Sequence, residues 1–123
     1  MSSNPSDAIK DPSEDNCAAL PPDRMMAQAT AAAAFLKALS HEGRLMILCH
    51  LSSGEKTVTE LEQLLASRQA AVSQQLARLR LEGLVATRRD GKAIFYSIQD
   101  PKVLQTIRLV YDMFCKVDVP SGT

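Results

Sequence analysis

Three cysteines, Cys17, Cys49 and Cys115, are the side chains of this 123-residue chain with the greatest capacity for covalent chemistry. They are too few and too widely spaced for the disulfide framework of a small secreted protein. In a reducing compartment, such a thiol is a small buried hydrophobic side chain, a metal ligand or a redox sensor. Each cysteine therefore has to be assigned from the element on which it lies.

The second group of functionally relevant side chains is a cluster of basic residues within one segment of the chain. The formal net charge of the chain is zero, but residues 68–92 carry six bases against two acids, and residues 1–24 carry five acids against two bases. A local basic cluster is a candidate surface for nucleic acid phosphates, although the charges alone fit an ordinary solvated face equally well.

Several classes of protein are disfavoured by what the sequence lacks. No stretch reaches the roughly 18 apolar residues of a membrane span, and the first residues lack the basic and apolar regions of a secretory signal. We therefore expect a cytoplasmic protein without a membrane partner. No Cys-x-x-Cys pair, nucleophile elbow, phosphate-binding glycine loop or paired carboxylates favour an enzyme.

The chain is predicted to form one ordered domain with short tails. Residues 1–24 are rich in Ser, Pro, Asp and Asn and predict a disordered N-terminal tail, while the domain covers residues 25–118 and a C-terminal tail covers residues 119–123. From Met25 the sequence is Ala-rich and favours a first helix. Its stripe contains few large side chains, which predicts packing against a partner subunit. The stripe is Met25, Ala29, Ala32, Leu36 and Leu39.

Two short helices should follow. The second helix is predicted over residues 41–51, with Ser40 as its N-cap, and it carries Cys49. The third begins at Thr57, whose spacing to Glu60 is that of a capping box.

A fourth helix completes a helix-turn-helix pair with the third. It is predicted from an N-cap at Ser67 to a C-terminal cap at Gly83. Its apolar stripe of Val72, Leu76 and Leu79 should face inward, which leaves its polar residues facing outward.

A hairpin and a last helix complete the predicted order. The segments VATRR and KAIFYSI alternate in polarity and are joined at Asp90-Gly91, a dipeptide that favours a type I′ turn. Asp100 and Pro101 then open a final helix as N-cap and first helical residue. Cys115 is expected in the last turn of that helix. Its apolar spacing is set by Val103, Ile107, Val110 and Phe114.

The outward face of the fourth helix is suited to reading DNA. A recognition helix presents its N-terminal half to the major groove, where glutamine pairs with adenine and serine serves a base or a phosphate. Basic side chains beside it and in the hairpin would reach the backbone. The candidate DNA-binding residues are Ser67, Arg68, Gln69, Ser73, Gln74, Arg78, Arg88, Arg89 and Lys92.

The segments LKALSHEGRLMIL, TVTELEQLL, RQAAVSQQLARLRLEGLV and RRDGKAIFYSI resemble the ArsR/SmtB family of winged-helix regulators. The resemblance covers nearly all of residues 25–115. It implies a mainly α fold with a small β-hairpin, a winged helix-turn-helix of order α1-α2-α3-α4-β-β-α5. It also implies a homodimer joined through α1 and α5 that binds palindromic operator DNA, represses transcription and releases DNA on a chemical signal.

The metal sites of that family do not transfer to this sequence. Its metal box resembles Glu-Leu-Cys-Val-Cys-Asp-Leu, but residues 55–61 carry Thr57 and Thr59 in place of the two thiolates. A hydroxyl is a poor ligand for soft metals. The family's other site needs histidine on the last helix, and no histidine follows Asp100. We therefore expect neither a metal nor another cofactor.

Cys49 and Cys115 remain as candidate sensors, on two elements that pack together in this family. They and their surroundings resemble the sulfide-responsive, SqrR/BigR-type branch. The resemblance implies that a persulfide or polysulfide links the two cysteines within a subunit, weakens operator binding and derepresses sulfide-response genes. Cys17, in the predicted tail, is expected to be dispensable.

Three other interpretations stay open. Cys49, Cys115 and His50 together are candidate ligands for a metal or haem. A second alternative is a redox enzyme, although no motif supports it. A third is a signal-blind DNA-binding protein whose cysteines serve only as packing side chains.

Overall fold

Five α-helices and three short β-strands follow one another in this computed structural model, which describes residues 17–65 and 69–116. The helices are α1 (Pro22–Leu39), α2 (Glu42–Leu51), α3 (Val58–Leu65), α4 (Gln69–Leu81) and α5 (Pro101–Val110), and the strands are β1 (Lys56–Thr57), β2 (Val85–Asp90) and β3 (Ala93–Ile98). A 3-10 turn, Cys17–Ala19, precedes α1, and a π-helical segment, Tyr111–Lys116, follows α5. None of the helices described has the length and apolar composition of a membrane span.

The chain divides into two units, Met1–Lys37 and Ala38–Thr123. The described part of the first unit is the 3-10 turn and most of α1, whose large side chains at Met25, Met26 and Leu36 are exposed. The second unit contains α2 to α5 and the sheet.

The core of the second unit lies between its helices and one face of the sheet. The predicted inward stripe of α4 is confirmed, because Val72, Leu76 and Leu79 are all fully buried. The other buried apolar side chains are Ala38, Leu39, Ile47, Leu48, Leu51, Leu61, Leu84, Val85, Val103 and Ile107.

Local side-chain chemistry begins the helices largely as predicted. The capping box of α3 is present, since the Thr57 amide donates to Glu60 at 2.8 Å and the Glu60 amide donates to the Thr57 hydroxyl at 3.2 Å. Asp100 caps α5 by accepting from the Lys102 amide at 2.9 Å, and Pro101 is the first helical residue. These caps satisfy amides that have no partner within a helix.

Helix α4 ends at Leu81, and the predicted glycine, Gly83, forms its C-terminal cap. Gly83 has a φ of +76°, and its amide donates to the Arg80 carbonyl while the Leu84 amide donates to the Leu79 carbonyl, both at 3.0 Å. This pair of bonds is a Schellman motif, which turns the chain from α4 into β2.

Two helices begin elsewhere than predicted. Helix α1 begins at Pro22, not Met25, because proline is preorganised for the first helical position. His41, not Ser40, caps α2, since its backbone is extended and its Nδ1 accepts from the Gly43 amide at 3.0 Å. Residues 1–16 and 119–123 of the predicted tails lie outside the described residues.

The hairpin turn is shifted by one residue from the prediction. Asp90 pairs with Ala93, so the two loop residues are Gly91 and Lys92 and not Asp90 and Gly91. Gly91 has a φ of +65°, as the first loop residue of a two-residue hairpin requires.

The sheet has a third strand that the sequence analysis missed. Strand β1 pairs with β3, which gives the order β1-β3-β2 with antiparallel neighbours throughout. Two residues are too few to show a period in the sequence. The predicted mainly α fold with a small hairpin is otherwise confirmed.

The last helix is shorter than predicted. Regular α5 ends at Val110, and Cys115 lies in the π-helical segment beyond it. Phe114, expected on the apolar stripe, is exposed, whereas Val103 and Ile107 are buried. The C-terminal part of the stripe therefore lies on the surface of this chain.

Candidate DNA-reading surface and dithiol site

The outer face of α4 presents the polar side chains predicted to meet DNA bases. Ser73 and Gln74 are exposed, one turn after the start of the helix at Gln69. Ser67 and Arg68 lie outside the described residues. Arg78 is exposed and faces Glu82 one turn later at 3.5 Å, an ion pair of the kind that contributes little when solvated.

Arg44, a residue with no predicted role, ties α2 to a half-buried part of α4. Arg44 donates from Nε to Gln75 Oε1 at 2.8 Å and from a terminal nitrogen to the Ala38 carbonyl at 3.0 Å. The Arg44 side chain therefore joins α2, α4 and the C-terminal end of α1 in one network. A lone arginine within the apolar run of α2 was its only sequence signal.

The β2–β3 hairpin is the wing of the fold, and its basic side chains differ in their surroundings. Arg89 and Lys92 are exposed, and among the described residues no hydrogen bond or ion pair holds either side chain. Arg88 instead donates to both carboxylate oxygens of Glu55 and lies over the Phe95 ring, 4.6 Å from its centroid. The three predicted backbone contacts of the wing are thus not equivalent.

The second candidate site is formed by Cys49 and Cys115, which are free thiols on exposed residues. Cys49 borders a pocket of about 460 Å³ in the second unit. Partial desolvation of the sulfur, which the surrounding protein covers in part, and to a smaller extent the charge of Cys115 raise the pKa of Cys49 above its ordinary value of 9.0. Cys115 lies in the π-helical segment that begins with Tyr111 and Asp112, two residues of the same pocket. The pocket is lined by Cys49, Ser52, Ile107, Arg108, Tyr111 and Asp112.

The raised pKa keeps Cys49 mainly as a neutral thiol at neutral pH. Because only the thiolate attacks sulfur or carbon electrophiles, the raised pKa lowers the fraction of Cys49 that can react. An acidic, strongly activated cysteine is not what this environment produces.

No cluster of three His, Cys, Asp or Glu side chains suited to a metal ion occurs within residues 17–65 and 69–116. Thr57, which stands at a thiolate position of the metal box, is engaged with Glu60 in the α3 cap.

Two antiparallel wing strands that follow a helix-turn-helix pair define a winged-helix DNA-binding protein. A sequence profile of the arsR family of bacterial regulatory proteins matches residues 41–87. The chain is 45% identical to the biofilm growth-associated repressor of Agrobacterium fabrum over 96 residues, which are 78% of this chain and 82% of that protein. The chain belongs to the arsR family.

Solved structures agree with this assignment. The transcriptional repressor BigR from Xylella fastidiosa has a TM-score of 0.71 and 43% identity, over 78% of this chain and 98% of that one. Reduced HlyU from Vibrio cholerae has a TM-score of 0.72 and 39% identity, over 75% and 97% of the two chains. Family members bind DNA and typically act as dimers, and these relatives are transcriptional regulators, not enzymes.

The rate at which Cys49 reacts with iodoacetamide should report its environment. In a Cys17→Ser protein, the pH midpoint for alkylation of Cys49 is expected above 9.0, because burial disfavours the thiolate. Adding Cys115→Ser should lower that midpoint only in part, since burial is the larger cause. Peptide mass spectrometry across pH 7 to 11 measures both midpoints, and a midpoint below 9.0 in either protein would contradict the burial argument.

Proposed function

We propose that this protein is a homodimeric transcriptional repressor in the cytoplasm, released from operator DNA when a persulfide bridges Cys49 and Cys115. The observation that carries the proposal is the pocket that Cys49 shares with Tyr111 and Asp112, the first residues of the segment that carries Cys115. Cys49 also lies on the helix whose Arg44 is bonded to α4. Repression follows the activity of the relatives described as repressors.

Base recognition is assigned to the N-terminal half of α4. Ser73 and Gln74 are exposed there, and glutamine can bond both N6 and N7 of an adenine in the major groove. We assign Gln69 to the same group from its place at the start of α4. Arg78, Arg89 and Lys92 supply backbone contacts, which add affinity and salt dependence but no sequence information. Ser67 and Arg68 are proposed phosphate ligands beside the start of the helix.

Two separate regions support assembly as a dimer through α1 and α5. Helix α1 exposes Met25, Met26 and Leu36, and the chain from α5 onward exposes Leu109 and Phe114. Exposed large apolar side chains in such number are typical of surfaces covered by another subunit.

The proposed chemistry begins with thiol exchange. The Cys49 thiolate attacks the terminal sulfur of a persulfide RSSH, the S–S bond of RSSH breaks, RS⁻ leaves, and Cys49 carries –SSH. The Cys115 thiolate then attacks the inner sulfur of that group and expels HS⁻, which closes a disulfide.

A longer bridge forms when both cysteines have accepted sulfur. A third RSSH then oxidises the two persulfide groups to a tetrasulfide and is itself reduced to RSH and H2S. Each inserted sulfur adds a bond of about 2 Å, so a longer bridge suits thiols too far apart for a direct disulfide. The pocket beside Cys49 gives a small persulfide access to the thiol.

Bridging should alter DNA binding through α2. Ile47, Leu48 and Leu51 form the buried face of α2. Because buried side chains are close-packed, we expect α2 to shift as a rigid body. Because Arg44 joins α2 to Gln75, such a shift changes the placement of α4. In a dimer, it changes the spacing of the two α4 helices across the operator.

Substitution of the two cysteines tests the sensing proposal. Operator affinity of the wild-type protein and of Cys17→Ser should fall about 5- to 150-fold after treatment with glutathione persulfide, the range of ordinary allosteric coupling. Cys49→Ser and Cys115→Ser should bind with unchanged affinity before and after treatment. Fluorescence anisotropy at fixed salt, with intact mass to count added sulfur, measures these outcomes.

Two results would count against this mechanism. Equal loss of binding in Cys49→Ser would place the sensor elsewhere, and an unaffected wild-type protein with a bridged mass would indicate a signal-blind regulator.

The metal- or haem-responsive alternative predicts a different result. Stoichiometric bound metal, or bound haem identified by its absorption band, would abolish operator binding.

Base reading by α4 has a matched test within the helix-turn-helix pair. Gln74→Ala should weaken binding to a preferred duplex by about 1–3 kcal/mol and change binding to random DNA little, because a bidentate base contact is lost. Gln63→Ala, an exposed glutamine on α3, is the control and should leave both affinities unchanged. Equal losses on both DNAs for Gln74→Ala would indicate a backbone contact instead.

A further inference from the structure

The side chain of Arg88 reaches over the central strand of the sheet to the residue before β1. Arg88 on β2 is paired with Phe95 on β3, which is paired with Thr57 on β1. The guanidinium passes over the Phe95 ring and ends at Glu55, where Nε lies 3.0 Å and 2.9 Å from the two carboxylate oxygens. The wing strand β2 is thereby tied to the segment that leads into α3.

Arg88 and Arg89 point to opposite faces of the sheet, because successive residues of a strand alternate. Arg89 shares its face with Thr87 and with Tyr96, the residue that pairs with Thr87. Tyr96 lines a pocket together with Ala77 of α4. Arg89 therefore lies on the α4 side of the sheet, and Arg88 lies on the other side.

The charge of Arg88 is also largely neutralised within the chain. Glu55 accepts its hydrogen bonds, and Asp90 lies 3.8 Å away on the same face. A phosphate has to compete with Glu55 for Nε and one terminal nitrogen of this guanidinium, whereas Arg89 and Lys92 have no such competitor among the described side chains.

We propose that Arg88 and Glu55 form a positioning pair for the wing, and that Arg89 and Lys92, not Arg88, make the wing's phosphate contacts. The pair joins β2 to the residue before β1, and β1 runs directly into the capped start of α3. It therefore sets the angle of the wing against the helix-turn-helix pair. This inference depends on DNA binding but not on persulfide sensing.

Salt dependence separates a positioning residue from a phosphate contact. The probe is a duplex selected by the wild-type protein from a random-sequence pool, with binding measured by anisotropy at several salt concentrations. Arg89→Gln should reduce the slope of log K against log salt by about 0.9 for each wing on the DNA. Arg88→Gln should leave the slope unchanged and weaken binding about two- to fivefold, as expected for loss of an exposed ion pair.

Exchanging the two charges is the sharpest control. Glu55→Gln should weaken binding about as much as Arg88→Gln, since either change removes the same pair. Arg88→Glu alone should weaken binding further, and the double variant Glu55→Arg/Arg88→Glu should recover to within about twofold of wild type, because the pair is rebuilt in reverse.

Opposite results would overturn the positioning role. A slope for Arg88→Gln that falls as far as that of Arg89→Gln would show that Arg88 contacts a phosphate. A charge-exchanged protein that binds as poorly as Arg88→Glu would show the same, because a glutamate at position 88 cannot serve a phosphate. Thermal unfolding of each variant identifies any loss of binding caused by misfolding. Arg88→Lys keeps the charge but not the two parallel hydrogen bonds, so its affinity should lie between those of Arg88→Gln and the wild type.

Discussion

The hydrogen bonds of Arg44 to Gln75 and to the Ala38 carbonyl are the constraint on which both candidate sites depend. They join α2 to α4, the helix proposed to read DNA, within a part of the structure where apolar side chains are fully buried. Cys49 lies on the same α2, five residues beyond Arg44, and borders a pocket open to small molecules. A close-packed helix transmits displacement along its length, and the proposed chemistry at one end of α2 would act on α4 by this route.

The segment before α3 has a structural role in this chain. In the metal-sensing pattern of the family, this segment supplies thiolates, but here Thr57 caps α3 and pairs with the central strand of the sheet. Glu55, just before it, holds Arg88 across Phe95. The segment that carries thiolates in that pattern thus makes, in this chain, contacts to β2 and to the start of α3.

Local features were predictable from the sequence and long-range contacts were not. The capping box at Thr57, the Asp100 cap and the Gly83 terminus depend on residues a few positions apart, and all three are present. The Arg44 and Arg88 bonds join residues 31 and 33 positions apart, which no sequence period reveals.

The wing shows how this limit affects a functional prediction. Arg88 and Arg89 are neighbours in a basic run and read alike in the sequence, yet strand alternation places them on opposite faces and only one is paired with an acid. The association of Cys49 with Cys115 came from family resemblance, because 66 positions separate them in the chain.

The coupling of the dithiol to DNA binding is the central claim, and thermodynamic reciprocity gives its most direct test. The measurement is the mass-action ratio of persulfide to released thiol and sulfide, each concentration raised to its stoichiometric power, at which half of the protein is bridged. It is determined by intact mass with and without saturating operator DNA. If bridging weakens DNA binding by a given factor, DNA must raise this ratio by the same factor. A ratio that DNA leaves unchanged would contradict the account, because the cysteines would then be chemically reactive but unconnected to the DNA-reading helix.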